Sequence, residues 1–134
     1  MSDNQISCAV NTIDSIIPLV EEAESLFNSA RKWSFFDILG NWRIADFFKY
    51  KNLNEAFALM NKIYYLLQKL SDELENTRVF QDFEPQINNF AVFADLFMDS
   101  SLADFYVHSK IKKSISYLQN LRENLYELRS RLTK

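Results

Sequence analysis

The chain has 134 residues, 48% of them apolar and 25% charged, with a net charge of −3 and a pI near 5.2. That length suits one domain, 1–134, able to bury a core without disulfides or metal, and one glycine with two prolines is too few for the turns of an all-β fold. The acidic balance argues against nucleic acid as a partner, because such binding needs a surplus of Lys and Arg.

The first predicted element covers residues 4–31. Ile6, Val10, Ile13, Ile17, Val20 and Phe27 recur at steps of three, four and seven, a helical stripe. Ala9, Ile16, Ala23, Leu26 and Ala30 widen it into a face that can meet two neighbours. Pro18 lacks an N–H for the carbonyl of Asp14, so a kink or break is expected near 14–18. Glu24 stands at a stripe position, with Arg43 or Lys62 as candidate ion-pair partners. Cys8 has no CxxC partner and reads as a small buried or half-buried thiol. The opening "MSDNQISCAV" lacks the basic start and apolar run of a signal peptide, and no window has the apolar length of a membrane span. A cytoplasmic location is the expectation.

Residues 31–48, "RKWSFFDILGNWRIADFF", hold both tryptophans and the glycine. Gly40 fits a helix C′ position, where left-handed geometry is easiest for glycine. Asp37 and Asp46 fit caps or partners for Arg31 and Arg43. The stretch reads as a short helical corner, with Trp33, Phe36, Ile38 and Leu39 as its inward plug. Trp42, Phe47 and Phe48 either complete that plug or face another molecule. So many aromatics in a short region exceed what one helix face can bury, so some of this surface is expected to meet another element or chain, with packing inside the monomer the fate of most of it.

A long helix is predicted over 53–76 from Leu53, Phe57, Met60, Tyr64, Leu67 and Leu74, flanked by Ala56, Ile63 and Leu70. Asn52 fits its N-cap, with Glu55 completing a capping box. Residues 78–84 read as a connection ahead of Pro85. A third helix follows over 86–98 through Ile87, Phe90, Phe93, Ala94 and Phe97. Ser100 or Ser101 then fits the cap of a last helix, 102–132, with Ile111, Ile115, Leu118, Leu121, Leu125, Leu128 and Leu132 stepping near 3.5 residues. The basic "HSKIKK" at its start reads as a solvated face. The fold expected is all-α, an antiparallel four-helix-type bundle with a short helical corner between the first and second long helices.

"WSFFDILG" followed by "FADLFMDSSLADFYVHSKI" resembles a small family of uncharacterised all-helical proteins of Gram-positive bacteria. The residues that carry the resemblance are Trp33, Phe36, Asp37 and Gly40, then Phe93, Ala94, Asp95, Asp99, Asp104 and Phe105. Gly40 followed by Asn41 and Trp42 stands where that family's pattern has several glycines. The resemblance implies a helical fold and no known activity.

Two sets of residues suggest chemistry. Asp95 and Asp99 share one helix face, and Asp104 and His108 another. Folded together about a break at 100–101, they would offer carboxylates and an imidazole to a transition metal. This is the metal-dependent hydrolase alternative. It lacks the Glu-x-x-His pairs of a ferritin-like site, and caps account for Asp residues near a helix start. Glu21, Glu22 and Glu24, with Asp72, Glu73 and Glu75, are similar in kind to the Mg²⁺ ligands of all-helical nucleotide pyrophosphatases. "EEAE" is spaced more tightly than those, and a solvated face is the plainer reading. A single glycine excludes a phosphate-cradling loop. His108 is the only imidazole, and no nucleophile motif surrounds a serine. The reading that remains is a non-enzymatic bundle mediating protein–protein interaction or assembly, with a homodimer as one form. No cofactor is implied; the contact is expected on the aromatic corner at 33–50, with Trp33, Phe36, Trp42, Phe47 and Phe48 as its candidate residues, or on the last helix. A bundle that neutralises a peptide or toxin is a third reading, resting on size and helicity alone.

Overall fold

A computed structural model of the chain describes residues 1–38, 42–99 and 108–134, with side chains for 1–32, 51–95 and 111–134. Four helices run in order: α1 Asp3–Ile38, α2 Trp42–Leu74, α3 Arg78–Asp99 and α4 His108–Leu132. Among the described residues there is no strand. The helices pack in cyclic order, α1 on α2, α2 on α3, α3 on α4 and α4 on α1. Each neighbouring pair is antiparallel where cross-helix contacts fix direction. Thr12 meets Glu73 while Ser29 meets Asn52. Asp14 meets Arg129 while Glu24 meets Arg122. Asp82 meets Arg131 while Phe93 meets Tyr117. This is the all-α antiparallel bundle that the apolar periodicity predicts.

The core follows the heptad spacing closely. On α2 the buried positions are Leu53, Ala56, Met60, Ile63, Leu67, Leu70 and Leu74, alternating steps of three and four. Phe57 and Tyr64 are only partly buried against that core, so the centre of the face lies on Ala56, Ile63 and Leu70 rather than on the aromatics. On α4, Ile111, Ile115, Leu118, Leu121, Leu125, Leu128 and Leu132 are all buried, with Ser114 among them. A mean step near 3.5 keeps one seam facing its neighbours, the geometry of left-handed bundle packing. Phe80, Phe83, Ile87, Phe90 and Phe93 make α3 the aromatic wall of the core, and Phe90 and Phe93 meet edge to face at 6.3 Å.

Several helix limits differ from those expected. α1 is continuous through Pro18, with no break at 14–18. Pro18 is exposed, whereas Ile13, Ile16, Ile17, Val20 and Ala23 on either side of it are buried. Tertiary burial of that face outweighs the missing hydrogen bond to Asp14, and Glu21 and Glu22 therefore lie inside the helix rather than in a first turn. α1 and α2 also run further into the corner segment than periodicity predicts, to Ile38 and from Trp42. Gly40 lies outside the described residues, as do the side chains of Asp37, Arg43 and Asp46. Asn52 is not an N-cap. It is inside α2, and its Nδ2 donates to Ser29 Oγ on α1 at 2.8 Å.

The link between α2 and α3 is residues 75–77, so 78–84 is helix and Pro85 is exposed within it. Asn76 takes φ 69°, the left-handed region that Asn tolerates better than most residues. Thr77 then binds both helix ends. Its hydroxyl donates to the Leu74 carbonyl at 2.7 Å and accepts from the Phe80 N–H at 3.2 Å. One side chain thus closes α2 and N-caps α3. Ser2 caps α1 in the same way, accepting from the Gln5 N–H at 3.1 Å. Expected limits at 100–102 fall in 100–107, outside the described residues.

Two substitutions test this account. Thr77→Ala removes the shared cap and is expected to lower unfolding free energy by about 1 kcal/mol in urea titration. Pro18→Ala restores a donor to Asp14 on an exposed face. It is expected to stabilise by about 1–3 kcal/mol, read by thermal unfolding, since proline costs a helix interior about 3 kcal/mol relative to alanine. A loss of stability on Pro18→Ala would contradict a helix that merely tolerates the ring.

Candidate interaction surface

The flanks of α4 carry the molecule's most developed polar geometry. One flank meets α1. Arg129 donates from Nε to Asp14 Oδ1 at 2.6 Å and from a terminal nitrogen to Oδ2 at 3.2 Å, a fork-to-fork pair. The Tyr126 hydroxyl donates to Glu21 Oε1 at 3.2 Å. Arg122 reaches Glu24 Oε2 at 3.5 Å. Arg122, Tyr126 and Arg129 step by four and three along α4, so they share one helix face. The sequence places acids on α1 and donors on α4 in matching register, and the seam follows. A shallow groove runs along it, lined by Pro18, Glu21, Tyr126 and Arg129 among others.

The second flank meets α3. Tyr117 stacks on Phe93 with ring centroids 4.6 Å apart and planes 12° from parallel, and Arg131 donates to Asp82 at 2.8 Å. Tyr117 covers one face of an aromatic core residue while 44% of its own surface stays exposed. Tyr65 on α2, Val92 on α3 and Tyr126 on α4 are exposed to 71%, 61% and 50%.

Glu24 differs from every other described carboxylate. Its surface is 7% exposed, and no described residue donates a hydrogen bond to its Oε1. Burial pushes its pKa above the ordinary 4.5. Arg122 works against that shift, and Glu21 and Glu123 add to it. Its partner is therefore Arg122 of α4, not Lys62, which is exposed; the side chain of Arg43 lies outside the described residues. Sequence spacing marks Glu24 as unusual but does not indicate that α4 lies opposite it.

The other candidates resolve as follows. Trp33 and Phe36 belong to the end of α1, and Trp42, Phe47 and Phe48 to the start of α2; their side chains lie outside the described residues. Asp95 is exposed on α3. The side chains of Asp99 and His108, and all of Asp104, lie outside the described residues, as does any convergence of that set. Among the described residues no three His, Cys, Asp or Glu side chains gather as metal ligands would. Glu73 instead accepts from the buried Thr12 hydroxyl, and its backbone carbonyl accepts from Gln5 at 2.9 Å. Of the six carboxylates compared with a pyrophosphatase site, Glu21 and Glu24 meet α4 and Glu73 meets α1, while Glu22, Asp72 and Glu75 are exposed. Cys8, expected to be at least half-buried, is exposed. It follows Ile6 and precedes Ala9 on the helix, yet its position turns it away from both neighbours of α1. Lys112 and Lys113 are exposed, as a solvated face requires. Among the described residues no helix is long and apolar enough to cross a membrane.

No family model and no solved structure matches the chain. A stretch of 45 residues is 38% identical to alanine–tRNA ligases of Polaromonas naphthalenivorans strain CJ2, Acidovorax sp. strain JS42 and Delftia acidovorans strain DSM 14801 / SPH-1. That stretch is 34% of this chain and 5% of each ligase. The likeness is to a short piece of each ligase, and it shows neither a shared family nor a shared activity.

Proposed function

We propose that this chain is a helical-bundle protein whose work is contact with another protein or with a second copy of itself, and that it catalyses no reaction. The observation that carries this reading is the set of large apolar side chains left outside a core that is already closed. Tyr65, Val92, Tyr117 and Tyr126 stay exposed while the described heptad positions are buried. Tyrosine presents a large rigid surface with a polar tip and is enriched where proteins meet. The aromatic run that includes Trp33, Phe36, Trp42, Phe47 and Phe48 supports the same reading from sequence. A cytoplasmic location accompanies it, since an exposed single thiol on Cys8 suits a reducing compartment.

Sedimentation across a concentration series, paired with affinity capture, tests the proposal. The expected outcome is either concentration-dependent association or a captured protein, lost when Phe47 and Phe48 are both replaced by Ser in a chain that keeps its helicity. A monomer at every concentration that captures nothing beyond the substituted control would sink it.

A further inference from the structure

We propose that Glu24 makes the contact between α1 and α4 proton-controlled, so that the bundle holds α4 more tightly when this carboxyl is neutral than when it is ionised. Glu24 lies at a buried position of α1, one turn before the fully buried Phe27 and one residue after the fully buried Ala23. An ionised carboxylate there gives up its hydration and needs donors in return. Among the described residues it has one charged partner, Arg122, on one oxygen only and at 3.5 Å, and that arginine side chain is itself 34% exposed. The second oxygen has no donor among the described residues. By contrast, the exposed Asp14 has both oxygens engaged by Arg129. The buried acid of this seam is the poorly served one.

The surrounding charges act in the same sense. Among the described residues, Glu21 on α1 and Glu123 on α4 disfavour a charge on Glu24, Arg122 favours it, and the groups that shift it include none from α2 or α3. Protonation would remove the unsolvated charge and the repulsion from two acids. It would weaken a single long ion pair whose arginine is a third exposed and engages only one carboxylate oxygen. A carboxyl with a raised folded pKa stabilises the fold fully below its unfolded value and loses that contribution as pH rises through the folded value. Acidification from neutrality toward pH 4.5 therefore tightens the seam.

The test uses the full chain. A carbon-13 titration of the Glu24 carboxyl gives its midpoint. Hydrogen exchange at neutral and at mildly acid pH, corrected for intrinsic rates, gives the protection of amides 20–28 and 118–126. The expected midpoint lies above 4.5. Seam protection is expected to rise several-fold on acidification, while amides 79–90 at the far side of the bundle change less. Glu24→Gln should show the higher protection already at neutral pH and no pH step. A midpoint at or below 4.5, or a Glu24→Gln seam that exchanges as fast as wild type with the same pH response, overturns the proposal. Should Glu24→Gln fail to fold, Arg122→Gln decides: it should move the Glu24 midpoint further up, and an unmoved or lowered midpoint overturns the proposal equally.

Discussion

The bundle depends on one wide apolar face, that of α1. Its contacts with α2 and α4 are the most extensive of the neighbouring pairs. A narrow stripe could serve one partner. Here Ala9, Ile13, Ile16, Ile17, Val20, Ala23, Phe27 and Ala30 are all buried, and they cover enough of the helix circumference for two. The alanines keep the backbones close, and Phe27 fills the space between. With α2 and α4 both placed by α1, α3 has only to close the remaining side, and its phenylalanines supply the volume to do so. The same demand explains why Pro18 is tolerated. The burial lost by breaking α1 would exceed the one hydrogen bond that the ring removes.

Around that apolar contact the polar residues divide by helix pair. α1 and α2 are joined by neutral or singly charged hydrogen bonds, from Gln5 and Thr12 to Glu73 and from Asn52 to Ser29. α1 and α4 are joined by opposite charges. From Asp3 through Glu24, α1 carries acids and no base, and α4 answers with Arg122 and Arg129. Such pairing adds little energy at the surface but penalises a wrong register, since sliding α4 by one turn would bring Glu123 or Glu127 toward the acids of α1. Glu24 is the exception within this arrangement, a charge whose position serves burial and whose partner serves only one of its oxygens.

The helical architecture and most of the core are readable in the sequence because a 3.5-residue apolar repeat marks the face that each helix buries against near-antiparallel neighbours. The leucines of α4 and the faces of α1 and α3 follow directly from it. The helix ends do not. Thr77 and Asn76 sit in a polar run that reads as a longer connection, and nothing local shows that the helix resumes before Pro85. Asn52 looks like a cap because its role as a donor to Ser29 exists only once α1 lies alongside. The size of Phe57 and Tyr64 places them in the predicted α2 stripe, whereas close helix approach favours Ala56 at its centre. Among site residues, the oddity of Glu24 is visible in its spacing, but Arg122 lies 98 positions away and no local rule connects them.

The tight link at 75–77 has a consequence for the order in which contacts can form. α2 and α3 are tethered by three residues, so their pairing closes a short loop at small entropic cost. The α1–α4 seam joins residues as far as 115 positions apart. It joins the first helix to the fourth, whereas the other three seams join helices that are neighbours in sequence. Until α4 docks, Asp14, Glu21 and Glu24 lack the partners that this seam supplies.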